Sequence, residues 1–282
     1  MPRERLGSKK KKTISRTTHI LTWALIGSIV VLLVLIVLVL RRPFLQMNTP
    51  DIQGNDIVKD HDIQFIVDEH FQSYWMGLIP RSSIFAFPKK RIEASLAEQL
   101  PRLDTIAIGR IGLREFRIRV TEYLPAYLWC QEHEGHVDTC YYVGRDGYVF
   151  SDAPYFSDYV YLKFYDETRS DAPLREFVFT EEEFLTLIEL RNQLTMRGIH
   201  IYQVRAGDAR DFSLSLAYIN DYLMGVESEL MINLALPLEE TLRTIDIIID
   251  QERFINRLDN GDVLDYIDVR FERRALYKFI DQ

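Results

Sequence analysis

The sequence ILTWALIGSIVVLLVLIVLVL, residues 20–40, contains no charged side chain, and its second half consists only of isoleucine, valine and leucine. As an α-helix, these twenty-one residues extend about 31 Å, which matches the roughly 30 Å hydrocarbon core of a bilayer. An Arg-Arg-Pro sequence follows directly, without the small-residue cleavage site of a secretory signal peptide. The stretch therefore predicts an uncleaved, single-pass membrane anchor over residues 19–41.

The charges on the two sides of this anchor predict its orientation. Residues 1–18 carry seven lysines and arginines against one glutamate, whereas only Arg41 and Arg42 lie close to the other end. Because positively charged flanks stay in the cytoplasm, we expect a basic cytoplasmic tail over residues 1–18 and an exported remainder, the type II orientation. The run Lys9–Lys12 serves as this topology signal; binding of anionic lipid by the same run is an alternative.

The exported part is acidic and has the composition of a globular protein. Residues 41–282 carry 27 cations and 41 acids, a net charge of −14, and 47% of the whole chain is apolar. A surplus of acids argues against nucleic acid as a partner, because phosphates repel it. About 240 exported residues exceed one average domain, and we expect two modest ones.

The first of these domains is predicted over residues 44–124. Hydrophobic periodicity indicates the order strand, helix, helix, strand, strand. The second helix is bounded by Pro88 and Pro101, since proline suits a helix start and stops a helix that reaches it. The predicted elements are Leu45–Gln53, Asp62–Met76, Lys89–Leu100, Thr105–Ile111 and Glu115–Glu122.

The second domain, residues 125–282, is predicted to be a mixed or antiparallel sheet with helices packed on it, an α+β arrangement. Thr180 and Glu183 form a capping box at the start of a helix that ends at Gly198, and Pro237 begins another helix. The last strand, Arg274–Phe279, is expected to be an edge of the sheet. The strands predicted before it are Ile199–Val204, Phe212–Ile219 and Glu229–Ala235.

Enzyme chemistry is not expected from this sequence. The acidic groups Glu181–Glu183 and Glu239–Glu240 lie at predicted helix N-termini, where carboxylates interact favourably with the helix dipole. The sequence contains no Gly-rich phosphate loop, His-Glu-x-x-His motif or Gly-x-Ser-x-Gly motif. We therefore predict no catalytic residues, no cofactor and no small-molecule substrate.

The two cysteines of the chain lie close together with two histidines, in the order Cys130, His133, His136 and Cys140. Outside the cytoplasm a disulfide between Cys130 and Cys140 is favoured, because oxidation is expected there and the pair flanks the loop between two predicted strands. A tetrahedral zinc site with His133 and His136 is an alternative, although the spacing differs from that of zinc fingers. Free thiols are a second alternative.

Four short sequence motifs, taken in order along the chain, resemble those of the FtsQ/DivIB family of bitopic bacterial cell-division proteins. A helix ending in Leu-Pro leads into a strand in LPRLDTIAI (100–108), and IRVTEYLPAYLW (118–129) is similar to the family's Glu-x-x-Pro-x-Ala turn, with the small residue directly after the proline. An Asp-Gly hairpin lies in GRDGYVFS (144–151), and LDYIDVRF (264–271) resembles the penultimate strand. The region from Tyr155 to Glu252 matches in pattern only.

This resemblance implies a POTRA domain near the membrane and a β-rich domain after it. It also implies a non-enzymatic scaffold at the division septum of the plasma membrane, which binds FtsB/DivIC-like and FtsL-like proteins by strand addition and helps to regulate septal peptidoglycan synthesis. The partner-binding residues that it implies are Arg270, Phe271, Arg274, Leu276, Tyr277 and Phe279.

Two alternatives remain open from the sequence. In one, Tyr277 and Phe279 face the core, while Arg274 and Lys278 are charges that protect a sheet edge. In the other, the chain is a POTRA-bearing protein of translocation or sensing that binds a client polypeptide or a signal. A cell-wall hydrolase is a weaker third reading, because no nucleophile or metal set is recognisable.

Overall fold

The structure is a computed structural model, and it describes residues 16–133, 136–154, 156, 160–166, 173–224, 228–272 and 274–280. The predicted cytoplasmic tail therefore lies almost entirely outside the described residues. The chain divides into two compact units, residues 1–121 and residues 122–282, which we call unit 1 and unit 2.

The first described element of unit 1 is the long helix α1, Arg16–Leu40. Its segment Ile20–Leu40 is strongly apolar, and its side chains are not buried against the rest of the protein. The predicted long apolar helix is confirmed: α1 is long and apolar enough to cross a membrane. A short 3-10 turn, Pro43–Leu45, connects it to the folded part of the unit.

The folded part of unit 1 contains a three-stranded sheet in the order β1-β5-β4, with β1 parallel to β5. Two helices pack on this sheet through a buried apolar cluster that includes Ile63, Ile92 and Phe116. The elements are β1 (Asp51–Gln53), α2 (Asp60–Phe71), β2 (Tyr74–Trp75), β3 (Ile79–Pro80), α3 (Lys89–Gln99), β4 (Leu103–Arg110) and β5 (Phe116–Glu122).

Two predicted elements of unit 1 are wrong in extent. The helix predicted to reach Met76 ends at Phe71, and the chain then forms a hairpin in which the turn residues Met76 and Gly77 adopt positive φ angles of 49° and 71°. Positive φ suits a tight turn and is incompatible with a right-handed helix. The result is a hairpin of β2 and β3 that the helical periodicity concealed.

The strand predicted from Leu45 begins only at Asp51. Pro43 starts the 3-10 turn instead, and Pro50 has no N–H with which to join a ladder before β1. The intervening backbone is held by Met47, whose N–H donates to the carbonyl oxygen of Ser82 over 2.7 Å.

Unit 2 is built on one large mixed sheet in the order β15-β14-β13-β11-β10-β9-β6-β7-β8, with β12 paired to β11. The predicted α+β class is confirmed, with a sheet that contains both parallel and antiparallel pairs. The strands are β6 (Tyr127–His133), β7 (His136–Val143), β8 (Val149–Ala153), β9 (Lys163–Asp166), β10 (Ile199–Ala206), β11 (Asp211–Ile219), β12 (Tyr222–Leu223), β13 (Glu229–Asn233), β14 (Leu264–Phe271) and β15 (Arg274–Phe279). The helices are α4 (Glu181–Met196), α5 (Leu238–Ile249) and α6 (Glu252–Asp259).

The three helices found in the described part of unit 2 share one core with one face of the sheet. Phe184 of α4, Ile245 of α5 and Phe254 of α6 belong to the same buried cluster as Trp129 of β6. Strand residues alternate between faces, so Cys130, next to Trp129, belongs to a smaller cluster on the other side. The helices therefore cover one face of the sheet.

Local signals at the start of α4 and at the β7–β8 turn explain the geometry there. The capping box of Thr180 and Glu183 is confirmed, with each side chain bonded to the other residue's backbone N–H. Gly147 has a φ of +87°, and a Cβ at that position would lie 2.9 Å from Cγ of Phe184. Only glycine fits this turn, since it tolerates both the angle and the close approach.

Candidate partner-binding edge

Strands β14 and β15 close one end of the unit 2 sheet. They pair antiparallel, with Ile267 opposite Tyr277 and Asp268 opposite Leu276. In the part of the chain that the structure describes, β14 is the only strand that pairs with β15. One side of β15 is therefore a sheet edge, the arrangement to which a further strand can be added.

Side chains of β15 alternate between an exposed face and the core. Arg274, Leu276 and Lys278 are exposed, and 57% of the Leu276 surface is accessible. Tyr277 is half-buried and Phe279 is buried. The strand thus presents an apolar side chain between two cations on its open face, whereas its aromatic residues hold it to the unit.

The aromatic side of β15 packs against α6. The ring centroid of Phe254 lies 5.3 Å from that of Tyr277 and 5.5 Å from that of Phe279. The guanidinium of Arg257 lies 4.9 Å from the centroid of the Phe279 ring. Tyr277 and Phe279 therefore lie on the core side, which is the placement that the sequence left open as an alternative. Their packing holds β15 against the core.

Arg270 on β14 is bound into an ion-pair network. Its Nη2 and Nε donate to the two carboxylate oxygens of Asp268 over 2.7 and 2.9 Å. Its Nη1 donates to Oδ2 of Asp211 over 3.1 Å, and the other oxygen of Asp211 accepts from Nδ2 of Asn233 over 2.6 Å. The network links β11, β13 and β14, so it ties the edge pair to the centre of the sheet.

The electrostatics of this network favour the charged form of both partners. Burial by itself raises the pKa of Asp268, but hydrogen bonds from the side chain and backbone of Arg270, together with its charge, hold that pKa below its usual value. The hydrogen bond to Asp268 raises the pKa of Arg270 above its usual value, and burial offsets only part of this increase. Asp268 and Arg270 therefore form a bidentate pair with a structural role.

Phe271 lies at the end of β14 and is 54% exposed. The guanidinium of Arg270 lies 5.7 Å from the centroid of its ring. Arg274, the first residue of β15, is its partner in the register. Phe271 and Leu276 are therefore exposed apolar side chains at this end of the sheet. The positively charged Arg274 and Lys278 lie beside them.

The opposite end of the sheet differs, because β8 is partly covered. The N–H of Val149 donates to the carbonyl oxygen of Glu176 over 2.9 Å, and the N–H of Arg175 donates back to that of Val149 over 2.8 Å. Tyr148 also forms an isolated bridge with Phe177. The chain itself occupies part of this edge, so β15 is the stronger candidate for binding an added strand.

Cys130 and Cys140 face each other across β6 and β7 and form a disulfide in the structure. Both are buried, in a small cluster with Leu128 and Tyr165. Sulfurs joined in a disulfide supply no thiolate ligands for zinc, and the side chains of His133 and His136, the other two ligands of the alternative zinc site, lie outside the described residues. Among the described residues, no three His, Cys, Asp or Glu side chains are grouped to hold a metal ion.

Sequence reasoning identified Arg270 but missed its two carboxylate partners. Asp268 lies two residues earlier on the same strand, and this spacing places both side chains on one face of the sheet. The pairing of Arg270 with Asp268 could therefore have been predicted from the sequence. Asp211 lies 59 positions away in the chain, and only the strand order brings it to Arg270.

Comparison of the chain with models of protein families finds no match, and comparison with curated proteins finds no similar protein.

Proposed function

We propose that this chain is a non-enzymatic scaffold of bacterial cell division of the FtsQ/DivIB type. It binds FtsB/DivIC-like and FtsL-like proteins outside the cytoplasm and helps to regulate septal peptidoglycan synthesis. The observation that carries the proposal is the strand β15: among the described residues it lies at a sheet edge, and its neighbour β14 contains the motif of residues 264–271 that resembles the family.

The organisation of unit 1 supports a POTRA-like assignment. The order strand, helix, helix, strand, strand is present as β1, α2, α3, β4 and β5, with the hairpin of β2 and β3 inserted between the helices. The first strand pairs parallel with the last. In this proposal unit 1 is the POTRA-like domain, and α1 anchors it in the plasma membrane at the division septum with the N-terminus in the cytoplasm.

Strand addition supplies the mechanism of binding. A partner segment in extended conformation forms backbone hydrogen bonds with the outer edge of β15, and the side chains that alternate along the strand select the partner. Leu276 then lies beneath a partner side chain and loses its contact with water, which contributes to affinity through apolar burial. Arg274 favours a partner strand with an acidic residue at the facing position, whereas Lys278 is paired with Asp265 of β14, its Nζ donating to Oδ2 over 2.8 Å.

A charge placed at Leu276 tests the proposal. Binding of the extracytoplasmic parts of the FtsB/DivIC-like and FtsL-like proteins of the source organism is measured for the full-length chain in nanodiscs. Leu276→Glu is expected to weaken binding at least about tenfold, equivalent to about 1.4 kcal/mol, because a carboxylate would be desolvated against the partner.

Leu223→Glu is the matched control. Leu223 lies on β12 of the same sheet and is 69% exposed, so the substitution adds the same charge at a similar exposure away from the edge. It is expected to bind like wild type. Equal affinity of the two variants, with unfolding transitions that match wild type, would refute binding at β15.

A further inference from the structure

Unit 1 carries a cluster of exposed apolar side chains around the hairpin of β2 and β3. Met76 and Phe85 have exposed fractions of 79% and 74%, and the others range from 52% to 59%. Singly exposed apolar residues are ordinary, but a contiguous group marks an interaction surface. We call this group the juxtamembrane surface: Phe44, Tyr74, Trp75, Met76, Leu78 and Phe85.

The hairpin is attached to the residue that directly follows α1. Nε of Arg41 donates to the carbonyl oxygen of Leu78 over 3.0 Å. The guanidinium of Arg41 also lies 5.8 Å from the centroid of the Tyr74 ring. These contacts hold the hairpin beside the end of the apolar helix.

Two phenylalanines reach further along the helix. Phe44 and Phe85 line an entirely apolar cavity of about 450 Å³ together with Leu35, Val39 and other residues at the end of α1. Leu35 lies five residues before the last residue of α1, which corresponds to about 7.5 Å along the helix axis. If α1 crosses a bilayer, these rings are at the depth of the outermost acyl carbons.

The topology of unit 1 brings a second group of apolar residues to the same end. β5 starts beside the start of β1, with Arg117 opposite Asp51, so the turn before β5 lies where the chain leaves α1. The N–H of Asn48 donates to the carbonyl oxygen of Arg114 in that turn over 2.8 Å. Ile111 and Leu113 are 50% and 71% exposed there.

We propose that the juxtamembrane surface docks into the extracytoplasmic leaflet of the membrane that α1 spans, with lipid acyl chains in the cavity beside Phe44 and Phe85. This inference rests on the anchoring part of the proposed function and is independent of the division role. Docking fixes unit 1 against the bilayer, so the hairpin acts as a second membrane contact besides the helix.

The chemistry of the surface favours lipid over a protein partner. Tryptophan and tyrosine are enriched at the level of lipid headgroups, and apolar rings bury to about 5–10 Å in that region. Arg41 and Arg42 lie at the same level, where cations attract lipid phosphates. Residues 41–121 carry 12 cations and 10 acids, a net charge of +2, whereas residues 122–282 carry 15 and 31, a net charge of −16. Unit 1, which contains the helix, is therefore the unit that an anionic membrane surface does not repel.

A single introduced cysteine reports the depth of the hairpin. The chain has two cysteines, and both are in the disulfide, so the full-length variants Met76→Cys, Ile57→Cys and Val34→Cys each carry one reactive thiol. Each is labelled with the fluorophore NBD and reconstituted in vesicles of phosphatidylcholine and phosphatidylglycerol. Quenching by lipids with a nitroxide on the acyl chain is then measured.

The label at Met76 is expected to be quenched several-fold more than the label at Ile57, which is also exposed but follows the far end of β1. Adding Trp75→Glu and Leu78→Glu is expected to reduce the quenching at Met76 to that of Ile57. Val34, within α1, tests the anchor itself. Strong quenching at Val34 with none at Met76 overturns the docking proposal alone, whereas no quenching at Val34 overturns both docking and anchoring.

Discussion

The juxtamembrane surface of unit 1 and the β15 edge of unit 2 both expose apolar side chains, but they arrange them differently. In the hairpin of unit 1, three neighbouring residues, Tyr74, Trp75 and Met76, are all more than half exposed. Along β15 exposed and inward residues alternate, so that Leu276 is exposed while Tyr277 packs on the core.

This difference separates two kinds of partner. A fluid bilayer accepts a group of apolar side chains in any register, because lipid has no fixed positions to match. An added strand requires backbone groups at fixed spacing and one face of side chains. The hairpin has two-residue strands and no extended edge, whereas β15 has six residues in extended conformation.

The largest effect on the β15 edge is expected from removing the ion pairs that tie β14 to the centre of the sheet. Arg270→Met leaves the carboxylate of Asp268, 8% exposed, without its bidentate partner. We expect a loss of about 3 kcal/mol in the free energy of unfolding at pH 7, since an uncompensated buried charge is costly. Chemical denaturation of the full chain measures it, with Arg270→Lys as the control. Lysine keeps the positive charge but lacks the planar guanidinium, so Arg270→Lys should lose less free energy of unfolding than Arg270→Met.

The same network predicts a dependence on pH. The pKa of Asp268 is lowered in the folded protein, so its contribution is present above the usual Asp pKa of about 3.9 and is lost as the pH falls through the lowered value. In Arg270→Met the side-chain hydrogen bonds and the charge of Arg270 are lost, so burial outweighs the backbone hydrogen bond that residue 270 still donates and raises the pKa of Asp268. The stability difference between the two proteins should therefore begin to shrink as the pH falls through the raised pKa of the variant, and it should continue to shrink until the pH is below the lowered pKa of wild type; a constant difference would contradict the network.

Removing the disulfide perturbs unit 2 away from β15. The bridge closes a loop with a sequence separation of 10 residues, and its loss in Cys130→Ala/Cys140→Ala is expected to cost about 2–3 kcal/mol. Partner affinity of the folded variant should equal that of wild type, because β6 and β7 lie near the other end of the sheet. Thermal unfolding and a binding assay test both parts. Weaker binding without unfolding would place the partner near β6 and β7.

Two neighbouring residues of β15 separate the effect on stability from the effect on partner binding within one strand. Tyr277→Ala should cost about 2 kcal/mol in stability, because its ring packs against Phe254. Leu276→Ala should stay within about 0.5 kcal/mol of wild type in stability, yet reduce partner affinity. Parallel denaturation and binding measurements separate the two effects. Equal stability losses would mean that Leu276 also supports the fold.

The smallest effect on stability is expected in the hairpin. Trp75→Ser, at 52% exposure, should change the free energy of unfolding in detergent by less than about 0.5 kcal/mol. Its consequence should appear only in a bilayer, as weaker protection of the hairpin from a protease. Equal cleavage of wild type and variant in vesicles would argue against lipid contact.

Sequence patterns predicted the features of this fold that are encoded locally. The apolar helix, the capping box at Thr180 and the edge-forming strand Arg274–Phe279 each follow from composition or short spacing. The hairpin at Tyr74 was missed because its apolar residues continued the helical periodicity of α2, and the deciding signal was Gly77 after Met76. The pairing of Arg270 with Asp211 depends on strand order, which no local pattern contains.

The candidate site was predictable in position but not in detail. The resemblance pointed to β14 and β15 as a pair, whereas the role of each side chain followed from its face. Phe279 was predicted to contact a partner, and the structure buries it at 6% exposure. Regular alternation along β15 places Phe279 on the inward side with Tyr277, and the irregular register between Asp268 and Phe271 lies at the other end of the strand pair.

Amide hydrogen exchange of the full chain, with and without the FtsB/DivIC-like partner, tests the central claim most directly. Strand addition predicts that alternate amides within Arg274–Phe279 become protected on binding, while those of β8 at the other end of the sheet do not change. Unchanged exchange along β15 in a saturated complex would contradict the account, and new protection elsewhere would show where the partner binds.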